Sequence, residues 1–277
     1  MRSVPDFPPV ENPFGDPIPS VHLPNAPLGL VIVQVQFPAI LAIDTESGRD
    51  LVARFQESIR DAYPVMQEGR EVGIAVTEPD FVPKTTSGLI FRFASSEHAW
   101  QVSLSRSFVA LETKAYTERS DLIVRLARVV EALVASINPG VCERLGVRYS
   151  SRVAEPELLA RLSELVKPEV LGAAVGRDLG DERAHRVHMV TDSMYRLNES
   201  ALRARWGVIP AGTTIDANIP PAPTEGFFMD VDVFSTTAIT LAPTEVLERV
   251  REFCDRQYRY FRWMVTDEYL AAYGGQP

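Results

Sequence analysis

Trp100, Val102 and Leu104 alternate with Gln101, Ser103 and Ser105, the two-residue period of a strand with one buried face. Arg106 and Ser107 make a tight connection, and Phe108 to Tyr116 predicts the return strand. Leu122, Leu126, Val129, Val130, Leu133 and Ile137 then recur at helical spacing, opposite Arg119, Arg125, Arg128 and Glu131. Thr117 or Ser120 is placed to cap this helix, and Asn138-Pro139-Gly140 stops it. The same order returns near the C-terminus. Phe227 to Phe234 predicts a strand, and Pro243 stands where a first helical residue would be. Val246, Val250, Phe253, Cys254, Tyr258, Phe261 and Val265 form the stripe of a helix over about 244–270.

Between and before these units the pattern is shorter. Eight prolines between Pro5 and Pro27 forbid helix and ladder, so residues 1–27 predict an extended arm, lying on the body or disordered. Val31, Val33, Val35 and Phe37 share one face of a first strand, and Leu51, Val52, Phe55 and Ile59 one face of a first helix. Val72 to Val76 predicts a short strand, Pro79 and Pro83 a loop, and Leu89, Phe91 and Phe93 a further strand. Leu145, Val147, Tyr149 and Val153 alternate with Arg144, Arg148 and Arg152; a helix from Pro156 then carries Leu158, Leu159, Leu162, Leu165 and Val166. Arg183 to Val190 predicts a strand. Residues 193–208 fit either one or two strands or a short helix at Glu199–Arg205, and 209–225 a long loop.

This order segregates helices from strands. It predicts an α+β fold: a mostly antiparallel sheet with long helices on one face, in two pseudo-repeated strand-helix-strands-helix lobes. Their boundaries fall at 1–27 for the arm, 28–140 for the first lobe and 141–277 for the second. The element order resembles the duplicated saddle of TATA-box-binding proteins and the helix-grip folds, an analogy that does not carry function.

Composition narrows the setting. Among 277 residues, 45% are hydrophobic and 23% charged, the range of a soluble globular protein. The formal net charge of -9 disfavours a nucleic-acid clamp. Two cysteines make no disulfide framework, the first residues lack a signal-peptide core, and no apolar run is long enough for a membrane. A cytoplasmic protein is the expectation.

Candidate chemistry is sparse. His185 and His188, three apart on a predicted strand, point to opposite faces and cannot readily share a metal. Asp230 and Asp232 share a face about 7 Å apart, a spacing for a hard cation or an acid–base pair, and equally that of a solvated strand. No phosphate-binding loop or nucleophile elbow is present. No catalytic, metal or cofactor-binding residue is assigned, and no cofactor is expected. What the strands share is a polar face holding Gln34, Gln36, Glu112, Lys114, Arg144, Arg148, Arg152, Asp230 and Asp232. As a recognition face, Glu112, Arg144, Arg148, Arg152, Asp230 and Asp232 would form it, the arginine forks gripping carboxylate or phosphate. Trp206, Trp263 and the run from Tyr258 to Phe261 would serve as core or as apolar anchors.

Phe55 to Pro64, Trp100 to Leu133, Arg144 to Arg152 and Phe261 to Glu268 resemble an uncharacterised, sporadically distributed prokaryotic family of unknown function. That resemblance implies an accessory or defence-linked setting and brings no catalytic residues. The expectation is therefore a binding protein that recognises a protein partner or a second copy of itself through the mixed-charge face. Two alternatives stand beside it. A helix-grip binder of a small ligand needs an apolar cavity between the long helices and the sheet. A carboxylate-dependent, metal-assisted hydrolase needs Asp230 and Asp232 to converge with Glu112 or a histidine.

Overall fold

In the computed structural model, residues 9–77, 82–172, 186–215 and 219–276 are described, the side chains of 71–77 and 82–87 excepted. The alternating segments become strands: β1 Leu28–Gln36, β2 Val65–Thr77, β3 Val82–Ala94, β4 Trp100–Ser105 and β5 Phe108–Thr113. A two-residue strand, β6 Val141–Cys142, leads to β7 Arg144–Val153, then β8 Met189–Leu197, β9 Ser200–Ile209 and β10 Gly226–Ser235. Nine of these form one antiparallel sheet ordered β2-β3-β4-β5-β1-β7-β10-β9-β8. A second two-residue strand, β11 Ile239–Thr240, pairs with β6 outside it. The sheet runs unbroken between the two halves of the chain through β1 and β7, with Val33 opposite Val147.

Three longer helices pack on one face: α1 Arg49–Ile59, α2 Arg119–Ser136 and α6 Pro243–Met264. Helix α1 touches α2, α2 touches α6, and α6 rests on β7 and β10. The period-two apolar rows meet the helical stripes there. Val31, Val33, Leu111, Val147 and Val233 are fully buried, as are Val129, Leu133, Val246 and Phe253. Helix α2 ends as its sequence requires: Asn138 adopts φ 50°, and its N–H bonds to the Leu133 carbonyl at 3.0 Å.

Several elements differ from the pattern reading. The helix expected from Pro156 breaks into three single-turn pieces: α3 Pro156–Ala160, α4 Leu162–Leu165 and α5 Pro168–Leu171. The last long helix stops at Met264, and α7 Asp267–Ala272 follows, where Thr266 accepts the Tyr269 N–H as its cap. Residues 189–209 are a hairpin, and the short helix at 199–205 does not form. Its Asn198 turn residue has φ 50°, and β9 pairs along its whole length with β10. Of the strand expected at 183–190, residues 183–185 lie outside the described residues and β8 starts only at Met189.

The described part of the arm, residues 9–27, lies on the body. Lys167 Nζ donates to the Val10 carbonyl at 3.0 Å, and Arg259 donates to the carbonyls of Asn12 and Asp16. Phe14 packs against Tyr195 with ring centroids 4.9 Å apart. The Pro27 carbonyl accepts the Arg152 N–H at 2.9 Å, so the arm runs directly into β1 beside β7.

Candidate functional site

The sheet face away from the helices gathers the predicted charged residues. Ile32 stands in register with both Glu112 and Arg148, and Asp232 with both Arg148 and Arg203. Arg148 Nε donates to Asp230 Oδ1 at 2.6 Å, and Arg205 donates to Oδ2 through Nε and Nη2 at 3.0 and 2.6 Å. The Asp230 side chain is only 3% exposed between them. Arg144 reaches Asp232 Oδ2 at 2.9 Å by lying over Gly146, with its guanidinium 4.2 Å above the Phe234 ring. A Cβ at position 146 would stand 2.8 Å from Arg144 Nη1, so a side chain there would make the guanidinium shift. Further out, Arg203 grips both oxygens of Asp192.

Arg152 behaves differently. Its Nη atoms donate to the carbonyls of Thr213 and Thr224 at 3.1 and 2.8 Å, so it clasps the loop before β10. Burial lowers its pKa. Glu112 accepts from Gln101 at 2.8 Å. The structure thus brings Arg144, Arg148, Asp230 and Asp232 into one network, with Arg205 and Arg203 as members the pattern reading missed. Both arginines alternate with Leu202, Ala204 and Trp206, so the same period-two signal was present in β9. The aspartate charges are met by arginines inside the sheet, which fits cross-strand pairing. Among the described residues no group of histidine, cysteine and carboxylate side chains is arranged to hold a metal ion. His185 lies outside the described residues, and His188 precedes β8.

The helix face holds a second feature. A cavity of about 310 Å³ lies between α6 and the sheet, with residues 20–23, 26 and 27 of the arm and Leu28 of β1 across it. Cys254, Gln257, Tyr258 and Phe261 form its helical wall at intervals of three and four residues, the spacing that puts them on one face. Tyr149 and Ser151 of β7 and Met229 and Val231 of β10 form the floor. The helix-facing row of β7 reads Leu145, Val147, Tyr149, Ser151, Val153, and the short Ser151 leaves space its bulkier neighbours would fill.

The lining is mostly apolar, with His22, Glu118 and Arg119 among its polar members. Tyr149 Oη donates to Tyr116 Oη at 3.2 Å and lies 3.8 Å from Cys254 Sγ. Burial pushes the Cys254 thiol up to about 11 and Tyr149 well above the ordinary phenol value, so both are neutral near pH 7. Gln257 is 3% exposed; its Nε2 donates to the Val231 carbonyl, and its Oε1 has no hydrogen-bond partner. Sequence periodicity placed Cys254, Tyr258 and Phe261 in the core stripe and passed over Gln257. A glutamine within an apolar helical stripe was the available signal.

No known family profile matches the chain, and no curated protein matches it either. Among the described residues no helix is long and apolar enough to cross a membrane.

Proposed function

We propose that this protein binds a small, largely apolar molecule in the cavity between α6 and the sheet, beneath the arm. One observation carries the reading: a cavity of about 310 Å³ with a mostly apolar lining lies between α6 and the sheet. Ligand sites combine such a lining with a few placed polar groups. On the charged sheet face Arg144, Arg148 and Arg205 pair with aspartates and Arg152 with backbone carbonyls, an arrangement that also serves the stability of the sheet.

The test is thermal shift of the purified protein against a library of small apolar compounds, repeated on Ser151→Leu. Stabilising compounds are expected for the natural sequence and none for the variant, whose added side chain fills the cavity floor. Compounds that stabilise both proteins equally would overturn the reading.

A second reading keeps the protein partner or second copy. Val190 and Met194 are 49% and 58% exposed along β8, the last strand of the sheet order. Light scattering of the natural protein and of Met194→Glu tests it; a monomer in both removes self-association. The resemblance to a sporadically distributed prokaryotic family supports an accessory or defence-linked setting. A duplicated origin of the two halves belongs to the same proposal. Its support is that β1 pairs with β5 and β7 with β10, each the last strand that its half adds to the nine-stranded sheet.

A further inference from the structure

The cavity runs lengthwise along α6. Its helical wall begins at Cys254 and ends at Met264, about 15 Å of helix. The floor marks the same two ends. Tyr149, opposite Val231, has its hydroxyl 3.8 Å from Cys254 Sγ, whereas Ser151, opposite Met229, meets Tyr269 just beyond α6. The two ends differ in chemistry. Glu118 and Arg119 stand at the Cys254 end, where Arg119 pairs with Asp255 and Tyr116 bonds Tyr149. Glu118 is exposed and Arg119 half-buried, so this end opens to water. The arm's exposed His22 stands midway, next to the Val21 that bonds Tyr258. At the far end the lining is Leu23, Leu28, Met229, Met264 and Tyr269. Leu23 lies against the chain after α7, since a Cβ at Gly275 would stand 2.8 Å from its Cδ2, and Leu28 pairs with Ser151. The Ser151 hydroxyl there already donates to the Met229 carbonyl.

We infer that the ligand is a single-chain amphiphile, with its polar head beside Glu118 and Arg119 and its hydrocarbon end among Leu23, Leu28 and Met264. This rests on the small-molecule reading above and adds shape and direction to it. The volume sets the chain: it is roughly twice the ~150 Å³ that admits the six carbons of benzene, so about ten to twelve carbons fill it. Each methylene taken from water into the far end raises affinity by up to about fourfold. A head group at the Cys254 end keeps its contact with water. A polar group carried to the far end loses that water and meets apolar side chains.

The probes are 1-alkanols from hexanol to dodecanol, 1,10-decanediol and the compact 1-adamantanol. They are titrated calorimetrically into the full chain, into Leu23→Trp and into Ser151→Leu. Affinity should rise with each methylene through decanol and level off by dodecanol. Decanediol, whose second hydroxyl must enter the far end, should bind about tenfold more weakly than decanol. In Leu23→Trp the levelling should come at a shorter chain. Equal affinity for decanediol and decanol overturns the direction, and adamantanol binding more tightly than decanol overturns the chain. Both results leave the cavity reading standing, and neither needs a variant to fold. A levelling point unmoved in a folded Leu23→Trp also overturns the direction. Failure of every probe to bind, or undiminished decanol binding by a folded Ser151→Leu, overturns this inference and the cavity reading together.

Discussion

The Val21 N–H donates to the Tyr258 hydroxyl at 2.7 Å, joining residues 237 positions apart where the arm crosses the cavity. Val21 is one of the cavity-lining residues of the arm and Tyr258 belongs to the helical wall. This bond therefore ties the covering segment to the wall it covers. Pro19 and Pro24 on either side favour an extended segment and lack backbone donors of their own.

Tyr258→Phe should loosen the arm without unfolding the sheet. A net loss of about 1 kcal/mol or less is expected, the ordinary contribution of one neutral hydrogen bond. Hydrogen exchange should accelerate in peptides covering residues 18–27 and stay unchanged in β1 and β7. Unchanged exchange across the arm would show that its other contacts hold it without Tyr258.

Asp230→Asn should be among the most damaging conservative changes in the sheet. The carboxylate is 3% exposed and receives Arg148 and Arg205 together, so the variant leaves buried guanidinium groups short of a counter-charge. Removal of one partner from a buried pair costs about 3–5 kcal/mol. Asp232, whose side chain is 24% exposed, should tolerate Asn at about 1 kcal/mol. Urea denaturation of the two variants measures the contrast, and equal, small losses would show the network to be incidental to stability.

Alkaline pH should destabilise the fold. Burial pushes Cys142 up to about 12 and Cys254 up to about 11, from an ordinary thiol value of 9.0. Burial also raises Tyr116, Tyr149, Tyr260, Tyr269 and Tyr273 above 10.0. Below pH 9.0 the folded and unfolded chains both keep these protons, so the whole contribution is present. Above it the unfolded chain releases protons that the native state retains, and stability falls as pH rises toward 11 and beyond. Melting temperature should therefore decline steadily from about pH 9 upward. In the same range iodoacetamide should label neither thiol until the protein unfolds. Rapid labelling of the native protein would contradict the burial of both.

Much of the fold follows from periodicity, and the exceptions have local causes. The rows Trp100–Val102–Leu104 and Leu145–Val147–Tyr149 point inward as the alternation requires, because a slip of one residue would bury Arg148 among the helices. The β2–β3 hairpin was harder to see, since Pro79 and Pro83 read as breakers. Strand β3 meets β4 only from Ile90 to Ala94, so Pro83 has one side without a strand neighbour and needs no N–H there. Glu199 to Arg205 carries helix-favouring residues, and pairing with β8 and β10 overrides that preference. The charged network was legible because it lies on strands of fixed period. The cavity was not: it comes from a missing volume at Ser151 and from an arm with no period at all.

Strand β1 has a consequence for synthesis of the chain. It is central in the sheet, yet its partners are β5 and β7, which do not exist until the ribosome has reached Phe108 and Arg144. Until Phe108–Thr113 is made, both backbone edges of β1 are unpaired, and until β7 follows one edge stays so, a template for association between neighbouring chains. Local strand pairing can begin in the β2–β3–β4–β5 meander, but the sheet cannot close around its middle until more than half of the protein has emerged. Stalled products ending before Arg144 should therefore aggregate or stay bound to chaperones, and release should coincide with the appearance of β7.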